Sequence, residues 1–517
     1  MKTHTLGSSL ALALLVTAVA CGDDDDTDAN ARAEVEVTQV TEDVGDTEEA
    51  DDEAPAFEEG PCPEPLPADE RFQCGTVTVP MQRGDESSVT IDLAVAVLSP
   101  SEPASHADPV VVIDKFEPSV VGYEGFAGLP GAVGRDVVLF DVRGSGHSEP
   151  SLACDEVDYL LSGVEVDPER RAPYLDAISA CRERLEGAGV DLAAYTVGAI
   201  ADDVIDIRRA LGYDTWNVIG YGQTSDMITD AVPAATSGHV VQELMRRDGD
   251  AIRSVVLESP LPAQLDPWRT HIENLGRAID VMLASCQAQN ECAGAYPDLR
   301  DAVAASLQEP RSEHQATSAA GDPMTAVFDP AHSAFYLAAG LSSTEVRALM
   351  PMALSLPTDQ RAQLVAANTA PSDPANHRPH GLLLSALCPL TGADTMPEDR
   401  DAPNDLGVVS YGMAVQADSC ELWDVAEPDP KLDQPVTSDI PTLVLIGEMD
   451  TYASPAGARL FASGLSSAHV LEIPGVSSNP LGGSDCVRTI RNAFVDEPDR
   501  EPDSSCLASE PPLRFST

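Results

Sequence analysis

Eight short β-rich runs, the later ones alternating with helical repeats, constrain this chain more than any other feature. They fall at residues 76–79, 89–98, 110–113, 137–140, 216–219, 254–257, 442–446 and 470–473. Several are unbroken apolar stretches, such as Val110-Val111-Val112-Ile113, the pattern of strands covered on both faces. Between Thr196, a good N-cap residue, and Gly212, apolar side chains recur at Ile200, Val204, Ile207 and Leu211, one face of an amphipathic helix. Alternating strand and helix predicts a mostly parallel, doubly wound sheet of eight strands. The stretch from Pro260 to Asp439 breaks the alternation and is mostly helical in pattern. It predicts a helical cap inserted into the sheet domain, over the carboxyl edge where open α/β sheets bind ligands.

The domain boundaries follow. The sheet domain takes 61–260 and 439–517, the cap 261–438, and an acidic tether 21–60; residues 1–20 read as an export signal. Lys2 precedes an apolar stretch from Leu10 to Val19, too short to span a bilayer comfortably. Ala18-Val19-Ala20 fits ordinary signal-peptidase cleavage, which would give a secreted protein. With Cys21 it also resembles a bacterial lipobox, with Ala18 where Leu, Val or Ile is usual. Cysteine arithmetic separates the two. There are eleven cysteines, and setting Cys21 aside as a lipid anchor leaves ten, an even number for disulfides in an oxidising compartment. The expected location is therefore extracytoplasmic, as a cell-envelope lipoprotein. The tether opens Gly22-Asp23-Asp24-Asp25-Asp26, has almost nothing to bury, and self-repels into an extended chain.

The formal net charge is −56, with three lysines in the whole chain. Such a surface repels phosphate backbones and anionic head groups, so nucleic acid is excluded as a partner, and membrane contact is expected only through the N-terminal lipid. Aromatic residues make up 4%, so the core is expected to lean on aliphatic side chains.

Specific residues then point to a family. Asp141, Arg143, Gly144, Gly146, Ser148 and Pro150 resemble the D-x-R-G-x-G-x-S-x-P segment of tripeptidyl and prolyl aminopeptidases, serine exopeptidases of the α/β-hydrolase superfamily. Tyr195-Thr196, Asp202-Asp203, Leu211-Gly212-Tyr213, Leu244 to Arg247, and Ser419-Cys420-Glu421-Leu422-Trp423 follow the same pattern. The segment Pro441 to Asp450 resembles the one that bears the catalytic acid. The resemblance runs from about Cys62 to Cys506. It implies an α/β-hydrolase fold and the disulfides Cys62–Cys74, Cys154–Cys181, Cys286–Cys292, Cys388–Cys420 and Cys486–Cys506.

Hydrolysis on this fold needs a serine on a sharp strand-to-helix turn, G-x-S-x-G, whose small flanks let the turn form. Here Gly220 matches the first glycine, Gly222 occupies the nucleophile position, and Thr224 stands for the second glycine. Aligning backwards from a helical run at 240–247 instead puts Ala235 at the nucleophile. Glycine and alanine carry no atom that attacks a carbonyl. Ser225 and Ser237, nearby, read as loop serines. The general base, a histidine that takes the serine proton, is replaced by Ser478 in Pro474-Gly475-Val476-Ser477-Ser478. His469 opens the strand itself and falls on the wrong side of it. The glycine-rich oxyanion loop is replaced by Asp114-Lys115-Phe116-Glu117-Pro118. Asp450 is the one triad position retained. The Gly144-Ser145-Gly146-His147-Ser148 stretch reads as a structural turn.

No zinc signature, phosphate loop or dinucleotide fingerprint is present, so no cofactor or metal is expected. The leading expectation is a catalytically inactive, peptidase-like protein that binds peptides or small acyl ligands. The alternative is an active serine hydrolase with relocated groups, Ser225 or Ser237 paired with His239 or His332.

Overall fold

The computed structural model describes residues 55–517 except 63–70, 86, 101–103, 115–128, 159–167, 222–235, 263, 266, 319–320, 322, 344–345, 369–378, 392–411, 426–430, 433, 479–483 and 511. The export signal, the lipobox with Cys21 and nearly all of the tether thus lie outside the described residues. The described residues fall in one compact unit, Glu53–Thr517.

Eleven strands are present among them: β1 (Phe57–Gly60), β2 (Arg71–Pro80), β3 (Thr90–Ser99), β4 (Val110–Ile113), β5 (Val137–Phe140), β6 (Trp216–Gly220), β7 (Ile252–Glu258), β8 (Ser312–Thr317), β9 (Pro323–Phe328), β10 (Thr442–Gly447) and β11 (Ala468–Ile473). Nine form one sheet in the order β1-β2-β3-β5-β4-β6-β7-β10-β11. Pairing is antiparallel from β1 through β5 in this order and parallel from there on. All eight expected runs lie in this sheet. The ninth strand, β1, was not expected. Its sequence Phe-Glu-Glu-Gly is mostly exposed and falls inside the stretch read as tether, so the 21–60 boundary runs too far. It is held by backbone pairing with β2, from Phe57↔Val77 to Gly60↔Cys74, and such pairing leaves no apolar signature.

The sheet is covered on both faces, and the two-residue period of the strands sorts the core. On one face Val111, Ile113, Val218, Val255, Leu257, Val444 and Ile446 pack with the helices Val197–Ala210 and Thr236–Arg247. On the other, Val110, Val112, Ile219, Val256, Leu443 and Leu445 pack with Val487, Ile490 and Phe494 of the helix Asp485–Asp496. The 197–210 helix begins as its sequence predicts. Thr196 accepts a hydrogen bond from the Ala199 amide at 3.2 Å, and Gly212 follows the helix at φ +75°.

The inserted segment opens with the helix Pro267–Ala288 and is mainly helical, with its own core around Leu275, Ile279, Met282 and Leu337. It also holds an unexpected antiparallel hairpin, β8 with β9, register Ser312↔Phe328 to Thr317↔Pro323. The run Ser-Glu-His-Gln-Ala-Thr is too polar to read as a strand by apolar content, and its backbone pairing again supplies the structure.

Five disulfides join Cys62–Cys74, Cys154–Cys181, Cys286–Cys292, Cys388–Cys420 and Cys486–Cys506, the same pairs that the family resemblance implies. Among the described residues no helix is long and apolar enough to cross a membrane.

The turn after β5 is built from the motif residues. Arg143, fully buried, binds both carboxylate oxygens of Asp203 at 2.7 and 2.5 Å and donates to the carbonyls of Met81 and Ala194. Gly144 and Gly146 adopt φ +81° and +55°. Ser148 donates to the Asp141 carbonyl and accepts from the Ala94 amide. These contacts account for the motif as an internal brace, and the Ser145 hydroxyl is engaged on the Val142 carbonyl at 3.1 Å.

Candidate functional site at the carboxyl edge of the sheet

Parallel strands end side by side, so the residues that follow them meet at one edge. The register aligns Ile113 with Gly220, Gly220 with Leu257, and Glu258 with Leu445. Asp114, Tyr221 and Glu258 therefore form a row across β4, β6 and β7. Glu258 is fully buried, and Arg491 of the 485–496 helix is 4% exposed. Arg491 hydrogen-bonds Tyr221, with Glu258 close enough to act on both electrostatically. Burial pushes the Tyr221 phenol up and the Arg491 guanidinium down from their ordinary pKa values.

Gly222, Thr224, Ser225 and Ala235 lie outside the described residues, as do Lys115 to Pro118 of the expected oxyanion segment. Ser237 is described, and it is not in a loop. The helix begins at Thr236, earlier than the 240–247 run suggests, and the Ser237 hydroxyl donates to the Tyr221 carbonyl. His239 is buried on the same helix. His332 belongs to the cap, where its Nδ1 lies 2.8 Å from Asp329 Oδ1 at the start of the helix Pro330–Ser342. His469 lies within β11, paired with Leu443, its ring against Phe494.

Asp450 sits in the loop after β10 and is fully buried. Its Oδ1 accepts from the amides of Tyr452 at 2.8 Å and Ala453 at 2.9 Å, while Oδ2 has no hydrogen-bond partner. Burial raises its pKa. The Ser259 hydroxyl beside it, the two amides and the charge of Arg277 act the other way. Ser478 is 1% exposed, and its carbonyl accepts from Ser259 Oγ at 3.4 Å. The Ser477 hydroxyl donates to the Met449 carbonyl at 3.1 Å. The loops after β10 and β11 thus meet, and Gly447 lets them: a Cβ there would stand 1.9 Å from the Ser477 carbonyl oxygen.

Two features escaped the sequence reading. Ser259, the residue after β7, holds φ +47°, a left-handed conformation that costs a non-glycine residue free energy. The second is a clamp from the cap. Arg277 donates to the carbonyls of Glu448, Asp450 and Ala453, Asn274 to that of Tyr452 at 2.6 Å, and His271 Nδ1 to that of Thr451 at 3.0 Å. With Ser477 on Met449, every carbonyl from 448 to 453 accepts a side-chain hydrogen bond. His271, Asn274 and Arg277 are spaced by three residues, which places them on one face of the 267–288 helix. The His271 ring stacks on Tyr452 at 4.6 Å, and burial lowers its pKa to about 4. Only Asp450 among these was marked by a motif. The clamp links positions far apart in the sequence.

The strand order, the parallel register and the helices on both faces define the α/β-hydrolase fold, and residues 116–229 match a family model described as alpha/beta hydrolase fold. A second family model, described as TAP-like protein, matches residues 408–506. No curated protein sequence matches the chain. Among solved structures it is similar to proline iminopeptidase from Mycobacterium smegmatis, at 16% identity over 84% of this chain and 100% of that one, TM-score 0.38. It is also similar to Est816, described as an N-acyl homoserine lactone degrading enzyme, at 14% identity over 78% and 97%, TM-score 0.34. A thermophilic esterase from Thermogutta terrifontis gives 14% over 82% and 99%, TM-score 0.34. At these scores the structural likenesses add nothing to the assignment.

Proposed function

We propose that this chain is a catalytically silent member of the TAP-like family, exported and anchored by a lipid on Cys21, that binds peptides or small acyl ligands at the cell envelope. One observation carries the reading. The acid that would orient a triad histidine, Asp450, is buried against the Tyr452 and Ala453 amides and the Ser259 hydroxyl, and no histidine is among its described partners. Sequence supports it from the other side, because Gly222 stands at the nucleophile position. Removing a nucleophile or base alone costs about 10⁶ in turnover in a worked protease case. Export draws support from the five disulfides. They use every cysteine except Cys21, which leaves that residue for the lipid.

The reading is tested by assaying the purified protein on a panel of aminoacyl and peptidyl esters and amides, with a fluorophosphonate probe alongside. No turnover and no labelled serine are expected. Stoichiometric labelling of a serine within 222–238 would rule the proposal out in favour of a hydrolase with relocated groups. A Gly222→Ser/Ser478→His variant is expected to remain far below a working hydrolase, since the 114–118 segment has no glycines and carries Glu117. Metabolic labelling with a radioactive fatty acid, lost in Cys21→Ala, tests the anchor.

A further inference from the structure

We infer that residues 512–516 form a strap that holds the far end of the first cap helix down on the sheet domain, so that the cap lifts only when the strap undocks. The inference does not depend on the ligand-binding reading. Cys506 is bonded to Cys486 at the start of the helix Asp485–Asp496, which fixes the base of the strap to the sheet domain. The chain then continues to Pro512-Leu513-Arg514-Phe515-Ser516-Thr517. Burial alternates along this stretch, as in an extended chain: Pro512 and Arg514 are exposed, Leu513 is half-buried, and Phe515 is 7% exposed.

The strap touches both sides of the seam. On the sheet side Leu513 packs on Gly475, in the loop after β11, where an added Cβ would stand 3.1 Å from the Leu513 Cβ. On the cap side three places hold it. Gln289, which follows the helix Pro267–Ala288, donates from Nε2 to the Leu513 carbonyl at 2.8 Å and accepts from the Phe515 amide at 3.3 Å. The Tyr296 hydroxyl donates to the Ser516 carbonyl at 2.9 Å, and the Ser516 amide donates to the Ala348 carbonyl at 2.9 Å. Phe515 belongs to the same buried cluster as Leu275, Ile279, Met282 and Leu337 of the cap, and Met449 of the loop after β10 joins it there.

Every strand and helix among the described residues ends before Pro512, so the contacts of 512–516 complete no element of their own. They act instead on the cap helix already clamped by His271, Asn274 and Arg277. Those three lie in its first half, and Gln289 comes about 20 Å further along at 1.5 Å per residue. Held by the clamp alone, the far end of the helix is free to swing. The strap pins that end. No disulfide crosses the seam, so this hold is noncovalent and reversible.

The test is amide hydrogen exchange, read by mass spectrometry, on the natural protein and on a variant that ends at Glu510. In the natural protein the Phe515 and Ser516 amides are expected to exchange as one unit with the cap backbone at 290–295 and 347–349. In the shortened variant those cap segments should exchange about tenfold faster or more, with Phe515 and its hydrogen bonds removed, while β6 and β7 keep their rates. Phe515→Ala should act in the same direction, and Arg514→Ala, at an exposed position, should change nothing. Exchange of Phe515 and Ser516 at the rate of a free peptide would overturn the inference on the unaltered protein, whether or not the variants fold. Unchanged cap exchange in the shortened chain would also overturn it, as would an equal acceleration of β6 and β7, the mark of a general loss of stability.

Discussion

Asn274 of the cap donates to the Tyr452 carbonyl of the sheet domain at 2.6 Å, in the middle of a run of six carbonyls that are all engaged by side chains. The loop that carries the acid in a hydrolase is thereby made into a seat for the first cap helix.

His271 in that seat makes folding sensitive to acid. Its pKa is about 4 in the folded chain against an ordinary value of 6.5, because burial disfavours the charged ring. A group with a depressed folded pKa binds its proton first in the unfolded chain. Its contribution to stability is therefore whole above about pH 6.5 and is lost as pH falls towards 4. The shift corresponds to roughly 3 kcal/mol. Urea midpoints measured across this range should fall for the natural protein, and His271→Gln should flatten the slope.

Asp450 acts in the opposite sense. Its folded pKa is raised, so the buried carboxylate weighs on the fold once the pH passes the ordinary aspartate range. Asp450→Asn keeps an oxygen for the Tyr452 and Ala453 amides. It is expected to melt at the same temperature as the natural protein in strong acid and higher near neutrality. A lower melting temperature at neutral pH would show that the charge contributes to stability there.

Gly447→Ala should be costly. Its Cβ would lie 1.9 Å from the Ser477 carbonyl and 2.5 Å from that of Val476, both backbone atoms that cannot swing aside. Overpacking of this kind costs about 1–3 kcal/mol, readable as a lowered denaturant midpoint. The same change at Gly84, where nothing lies within 4 Å but φ is +86°, isolates the conformational part of such a cost.

The buried Arg143–Asp203 pair gives a fourth expectation. Arg143→Met leaves Asp203 buried with only Arg83 to balance it, at 2.6 Å. Breaking a buried pair from one side costs about 3–5 kcal/mol, whereas replacing both charges by apolar groups is close to neutral. The double variant Arg143→Met/Asp203→Leu should therefore be more stable than Arg143→Met alone, in a cycle read by urea denaturation.

The inner parallel strands are legible because they are buried on both faces and so are apolar along most of their length, as at 110–113 and 137–140. What escaped was structure stabilised by backbone pairing: β1, with its exposed Glu58 and Glu59, and the polar hairpin of Glu313 and Gln315. The start of the Thr236–Arg247 helix was misread because Ser237 looks like a loop residue until its hydroxyl is seen on the Tyr221 carbonyl. At the site, Asp450 was legible from its place after an apolar strand. His271 and Arg277 were not, because a histidine and an arginine on an amphipathic helix carry no mark of a loop more than 170 residues away. Ser259 is silent for another reason, since only a backbone angle sets it apart.

The covalent cross-links are all short-range, spanning 6 to 32 residues, and none ties the inserted helices to the sheet. Oxidation thus stiffens each half of the molecule separately and leaves the seam between them unstitched. The contacts across that seam are hydrogen bonds and packing alone, so a reductant acts on neither side's hold on the other.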